Sequence, residues 1–314
     1  MDESSQDSHA YLDPKVLSKI GALELRARLI VEGFLSGMHH SPHRGLSIEF
    51  ADHRIYTQGD DLRHVDWKLF GKTDKYYIKE YEQETNINVL LAVDHSESMQ
   101  YRSSDQLMTK YEYATSLAAA IAYLTLQQHD AVGLALFDRQ VTHFLKPSSN
   151  TQHWKSLVHE LARNTGRGKT SLEPVFAELA DRLSGPVLIV LISDLFDEVG
   201  TILRGLKQLR YHHHDLIVWN VWDPAELAFP FEGYARFDGL EGAGSMLVDS
   251  GSLRARYLEE VSRYQNRLRR GCGHMHIDLA VFNTAESLGA GLASFLAVRS
   301  ARLRRRSSRV LGRG

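Results

Sequence analysis

Two almost wholly apolar runs, Ile87–Val93 (INVLLAV) and Val187–Ser193 (VLIVLIS), constrain this chain more than any other feature. Each has the length of a strand and is far too short to span a membrane. Neither alternates apolar with polar residues, as a strand with one wet face must. Such runs belong to strands covered on both faces, which points to a mainly parallel sheet with helices above and below.

The intervening sequence fits that architecture. Helical spacing is read over Tyr111–Gln127, Thr151–Arg163, Leu172–Leu183, Val199–Tyr211, Leu253–Arg270 and Ala285–Val298. Further strands are expected at Ala131–Phe137, Val141–Leu145, Leu216–Val221 and His276–Phe282, the first two forming a hairpin. The stretch 223–251 reads as loop-rich, with short strands near Arg236 and Met246. Alternating strands and helices imply βαβ units, whose ligands bind at the carboxyl ends of the strands. The expected organisation is a disordered leader at 1–13 and an N-terminal helix with a small β-containing subdomain or insertion at 14–86. The main α/β domain then covers 87–298, and a basic tail with seven arginines and no acid covers 299–314.

Composition narrows the function classes. Lys and Arg (37) nearly balance Asp and Glu (39), which argues against a dedicated nucleic-acid binder. The single cysteine, Cys272, permits no internal disulfide and no cysteine-based zinc site. The acidic start (MDESSQDSHAYLD) is unlike a secretory leader, and no transmembrane segment is read, so a cytoplasmic location is expected.

The strand-end rule directs attention to three segments. Asp94-His95-Ser96-Glu97-Ser98 follows the first buried strand, Ser193-Asp194 closes the second, and a loop at 166–169 leads into Thr170. Two carboxylates and three hydroxyls would then share one sheet edge. These are hard oxygen donors, suited to Mg2+ or Mn2+ and poorly suited to zinc or copper. No His or Cys in these segments offers an obvious nucleophile or tuned base. On its own, an Asp-x-Ser-x-Ser string more often caps a helix or shapes a turn.

This set resembles the metal-ion-dependent adhesion site of von Willebrand factor A domains. The resemblance implies that Asp94, Ser96, Ser98, Thr170 and Asp194 hold the ion and that a partner carboxylate completes its shell. A second resemblance lies upstream, from Arg44-Gly45-Leu46-Ser47-Ile48-Glu49-Phe50-Ala51-Asp52 through Arg54, Tyr56, Gly59-Asp60-Asp61, Arg63 and Asp66-Trp67-Lys68 to Lys79-Glu80-Tyr81-Glu82. It looks like the bacterial family called domain of unknown function 58, in its short branch without membrane helices. That likeness implies a chaperone-like adaptor working with a MoxR-type AAA+ ATPase or its client.

Several other features have plainer readings. Gly168-Lys169-Thr170-Ser171 lacks the earlier glycine of a phosphate loop, since Arg163 stands there, and it follows a helix instead of a strand. His212-His213-His214 reads as a solvated helix end. Asp197 reads either as an acid standing behind the ion or as a loop or cap residue. Asp60, Asp61, Arg63 and Asp66 are candidate partner-binding residues, with a salt-bridged turn as the alternative. The expectation is a non-enzymatic, metal-dependent protein-interaction module. Mg2+-dependent phosphoester hydrolysis at the same strand ends is the alternative.

Overall fold

A computed structural model of the chain describes residues 21–31, 53–55, 71, 76–79, 87–163, 171–238 and 244–311. The chain divides into two compact units, Ser36–Asn86 and the remainder, Met1–Leu35 with Ile87–Gly314. In the smaller unit, strands β1 (His53–Ile55) and β2 (Tyr77–Lys79) pair antiparallel, with Ile55 opposite Tyr77. The leader at 1–13 lies outside the described residues.

The larger unit is built on one six-stranded sheet. Its strands are β3 (Asn88–Asp94), β4 (Ala131–Phe137), β5 (Val141–Ser148), β6 (Leu188–Ser193), β7 (Asp215–Trp222) and, after a separate hairpin of β8 (Tyr234–Asp238) and β9 (Ser245–Asp249), β10 (Asp278–Asn283). Their spatial order is β10-β7-β6-β3-β4-β5, parallel throughout except for β5, which runs antiparallel to β4. The chain moves outward from β3 to β5, then returns to the other side of β3 and moves outward again. The reversal leaves a switch point at the carboxyl ends of β3 and β6, where α/β sheets of this kind open a crevice.

Helices cover both faces, as the apolar runs require. One core joins Val89, Leu91 and Val93 of β3 to α2 (Lys110–Gln127), α3 (His153–Arg163) and α8 (Leu288–Leu311). The other joins Leu90 and Ala92 of the same strand to α4 (Leu172–Arg182), α5 (Val199–Tyr211) and α7 (Ser250–His274). Alternate side chains of one strand thus feed two cores, so an all-apolar sequence is needed there. The expected mainly parallel sheet with helices on both faces is what the chain forms.

Three details differ from expectation. Helix α1, residues 21–31, sends Leu23, Ala27, Ile30 and Val31 into the first core, and Arg26 donates to Ser116 Oγ of α2 at 2.9 Å. It belongs with the larger unit, not with residues 39–86, where the sequence reading grouped it. The tail from Arg299 is not a separate extension, because α8 continues to Leu311; no Gly or Pro falls between Arg299 and Leu311, and Arg is a good helix former. The stretch after β7, read as loop, holds the short helix α6 (Pro224–Ala228). It is started by an Asp223/Glu226 capping box with Pro224 at its first position. Among the described residues no helix is long and apolar enough to cross a membrane.

Candidate metal centre

Asp94 is the last residue of β3, and the ladder carries on one step past it, His95 N donating to Phe137 O at 2.9 Å. The chain then turns into a short 3-10 helix at Glu97–Gln100. This turn folds the Asp-x-Ser-x-Ser string back on itself. Ser96 N donates to Asp94 Oδ1 at 2.9 Å, and the hydroxyls of Ser96 and Ser98 stand 3.1 Å apart. All three residues are buried.

Strand β6 delivers the second acid beside the first. Ser193 Oγ donates to Asp94 Oδ2 at 2.6 Å and accepts from Leu195 N at 2.8 Å, clamping the two strand ends together. Asp194 Oδ1 accepts from Phe196 N at 3.2 Å, and Asn220 of β7 holds the backbone by donating to the Asp194 carbonyl at 2.8 Å. Asp94, Ser96, Ser98 and Asp194 therefore meet at the switch point. Thr170 lies outside the described residues; the next residue, Ser171, donates its N–H to Asp138 O at 3.3 Å, just beyond β4.

The structure adds a group the sequence did not suggest. Lys110, the first residue of α2 and 1% exposed, donates to Asp194 Oδ2 at 2.8 Å and to Glu226 Oε1 at 2.6 Å. Burial pulls its ammonium toward neutrality, but Asp194 and then Glu226 outweigh that, and the group stays charged, above the ordinary lysine range. Glu226 is held in turn by the α6 cap, its Oε2 accepting from Asp223 N at 2.8 Å. Sequence reasoning missed both residues. Asp223-Pro-Ala-Glu226 was a readable capping box, whereas Lys110, one residue past the Thr109 cap, looks like any surface lysine.

The electrostatics of the cluster are unbalanced. Three carboxylates (Asp94, Asp194, Glu226) face one ammonium, so two negative charges remain when all are ionised. Burial, and then the neighbouring Asp194 charge, push the Asp94 carboxyl up to about 7, against the opposing hydrogen bonds from Ser193 and Ser96. A divalent cation would cancel the excess. The donors suit it: adjacent oxygens in an octahedral Mg2+ shell at 2.0–2.1 Å lie about 2.9 Å apart, close to the 3.1 Å between the Ser96 and Ser98 hydroxyls. Each carboxylate oxygen carries two lone pairs, so Asp94 and Asp194 keep acceptor capacity despite their existing bonds. Among the described residues no group of three or more His, Cys, Asp or Glu is placed to hold a metal ion, so at this site hydroxyls and water would have to complete the shell.

The other candidates fall elsewhere. Asp197 ties loops together, accepting from Glu198 N at 2.6 Å and Leu172 N at 3.4 Å, and makes no bond to Asp94 or Asp194. His212 and His213 are exposed, but His214 is not the solvated residue expected. It is buried and stacks on His212, and burial lowers its pKa. Residues 153–163 are helix, as read from the sequence, where a phosphate loop would need a strand; residues 164–170 lie outside the described residues. Asp60, Asp61, Arg63, Asp66 and Trp67 lie outside the described residues.

The fold is similar to that of a conserved hypothetical protein, BatB, of Bacteroides thetaiotaomicron (13% identity, 68% of this chain and 99% of that one, TM-score 0.43). It is also similar to the SpRpn10 VWA domain (10% identity, 67% and 93%, TM-score 0.41). In sequence, the chain is 24% identical over 225 residues to an uncharacterised protein of Mycobacterium bovis, covering 70% of this chain and 69% of that one. An uncharacterised protein of Mycobacterium tuberculosis matches to the same extent. The model of the family described as protein of unknown function DUF58 matches residues 52–267, more than two thirds of the length, and the chain belongs to that family.

Proposed function

We propose that the protein is a metal-dependent protein-interaction module whose ion is Mg2+ or Mn2+. Asp94, Ser96, Ser98 and Asp194, with Thr170 from the adjoining loop, would hold it. A bound ion supplies an open coordination position that an acidic side chain of a partner fills. The observation carrying this reading is the buried, charge-deficient cluster at the switch point, with two hydroxyls already at the spacing of neighbouring ligands. Ser193 positions Asp94, Asn220 positions Asp194, and Lys110 compensates part of the charge so that two acids can stand side by side without metal. In this reading the module is an adaptor in a chaperone-like assembly, and its partner is a MoxR-type AAA+ ATPase or that enzyme's client. This part of the proposal rests on the family resemblance.

The test is affinity capture from the native lysate with wild-type protein in Mg2+, with wild-type protein in a chelator, and with Asp94→Ala in Mg2+. Asp94→Ala removes one of the excess buried charges together with the acceptor of the Ser193 hydroxyl and the Ser96 N–H, and the variant is expected to remain folded by circular dichroism. A partner retained only by wild type in Mg2+ is expected. The same proteins retained in all three conditions, or collapse of the fold in Asp94→Ala, would overturn the reading.

A further inference from the structure

Bordered by Asp194 and Glu226 lies a cavity of about 390 Å3, formed by α7 and the ends of β6 and β7. That volume is in the range of pockets that take small ligands or single side chains. Its walls are aromatic. Trp222 and Tyr264 meet edge to face at 6.1 Å, and Tyr257 stands about two turns earlier on α7. The polar tips of these rings are already occupied. Tyr264 OH donates to Leu195 O at 2.5 Å, Tyr257 OH donates to Glu226 O at 2.9 Å, and Trp222 Nε1 donates to Asn220 Oδ1. The rings are thus fixed before any ligand arrives, which lowers the ordering cost of binding.

Among the described residues, the charged groups lining the cavity all have one sign: Asp194, Asp197, Glu226 and Glu260, with no Lys or Arg. Asp194 and Glu226 are committed to Lys110. Asp197 holds backbone N–H groups, and Glu260 pairs with Arg263 at 2.7 Å in an exposed contact that contributes little. Beyond burial, the fields of Asp194 and then Asp197 hold the Tyr264 phenol above its usual range, so the carboxylates act directly on the cavity wall. Fixed aromatic rings with carboxylates beside them favour a cation, and exclude an anion by like-charge repulsion.

A backbone feature marks the same spot. Leu195 has φ of +53°, a left-handed conformation costly for a branched residue, and it is held there by Tyr264 and Ser193. That turn places Phe196 at the rim, 69% exposed. Tyr257 also packs on Phe229 at 4.7 Å, at the root of the β8–β9 hairpin, where Tyr234, Met246 and Leu247 are exposed. A large apolar ring left in water at the rim of a charged cavity fits a macromolecular partner better than a free metabolite.

We propose that this cavity receives a basic side chain, Lys or Arg, of a protein partner, as a second recognition point beside the metal centre. It requires no bound ion, although Asp194 borders both. The test follows the Trp222 indole and the Tyr257 and Tyr264 rings by NMR while the full chain is titrated with N-acetylarginine amide. The neutral isostere N-acetylcitrulline amide is the control. Saturable shifts with the arginine probe alone are expected both in Mg2+ and in chelator, no tighter in Mg2+ because an ion would draw on the charge of Asp194, and retained in Asp94→Ala. Neutralising Asp197→Asn and Glu260→Gln together should weaken binding about fivefold or more, and added salt should weaken it further. Glu260→Gln alone, at an exposed helical position, keeps the comparison usable should Asp197→Asn disturb the loop. Equal responses to the two probes, or unchanged affinity in both variants, would overturn the proposal. Because the shifts are expected with and without the ion, their failure and the failure of the metal reading are separable.

Discussion

At the scale of the residue, Lys110 is the most informative side chain in the structure. A cation at the first position of a helix is opposed by the helix dipole, so α2 itself does not explain it. Asp194 and Glu226 do, at 2.8 Å and 2.6 Å. Breaking a buried pair from one side leaves uncompensated charge, which typically costs about 3–5 kcal/mol. Lys110→Met is therefore expected to lower unfolding free energy by about that much in urea titration, and adding Glu226→Gln should recover part of it. A loss under about 1 kcal/mol would show that the ammonium is dispensable and that the acids neutralise themselves by binding protons.

The sheet shows, at the scale of the element, what kind of information a sequence carries. Strands β3 and β6 were legible because burial on both faces imposes an unbroken apolar run, and the α/β alternation and switch point follow from them. The end of β5 was not. Lys146-Pro147 reads as a stop after Leu145, yet the strand continues to Ser148. The ladder shifts register between Val132 and Leu134, so Pro147 sits where no N–H is required, beside Gly133. A Cβ on Gly133 would lie 2.6 Å from Leu145 O and 2.8 Å from Pro147 N, both backbone atoms with no room to yield. Gly133→Ala is expected to cost about 1–3 kcal/mol in the same urea titration. A neutral effect would mean that β5 peels away from β4 at little cost. Similar reasoning explains α6: its capping box was present in the sequence, but five residues give no periodicity to notice.

At the scale of the whole molecule, the candidate site is a product of topology. Asp94 and Asp194 are 100 positions apart, and they meet because the strands that carry them flank the point where the chain reverses its course through the sheet. The acids and serines were legible, since the strand-end rule and their oxygen chemistry select them. Lys110 and Glu226 were not, because charge compensation is a tertiary property with no local pattern. The cavity beside them was equally hidden, since Trp222, Tyr257 and Tyr264 look like ordinary core aromatics until α7 closes over the strand ends. The most direct measurement is calorimetric titration of the full chain with Mg2+, comparing wild type with a Ser96→Ala, Ser98→Ala double variant. Binding of one ion by wild type, abolished in the double variant while the fold persists, is the predicted result. No binding by wild type, or binding unchanged without the two hydroxyls, would contradict the account.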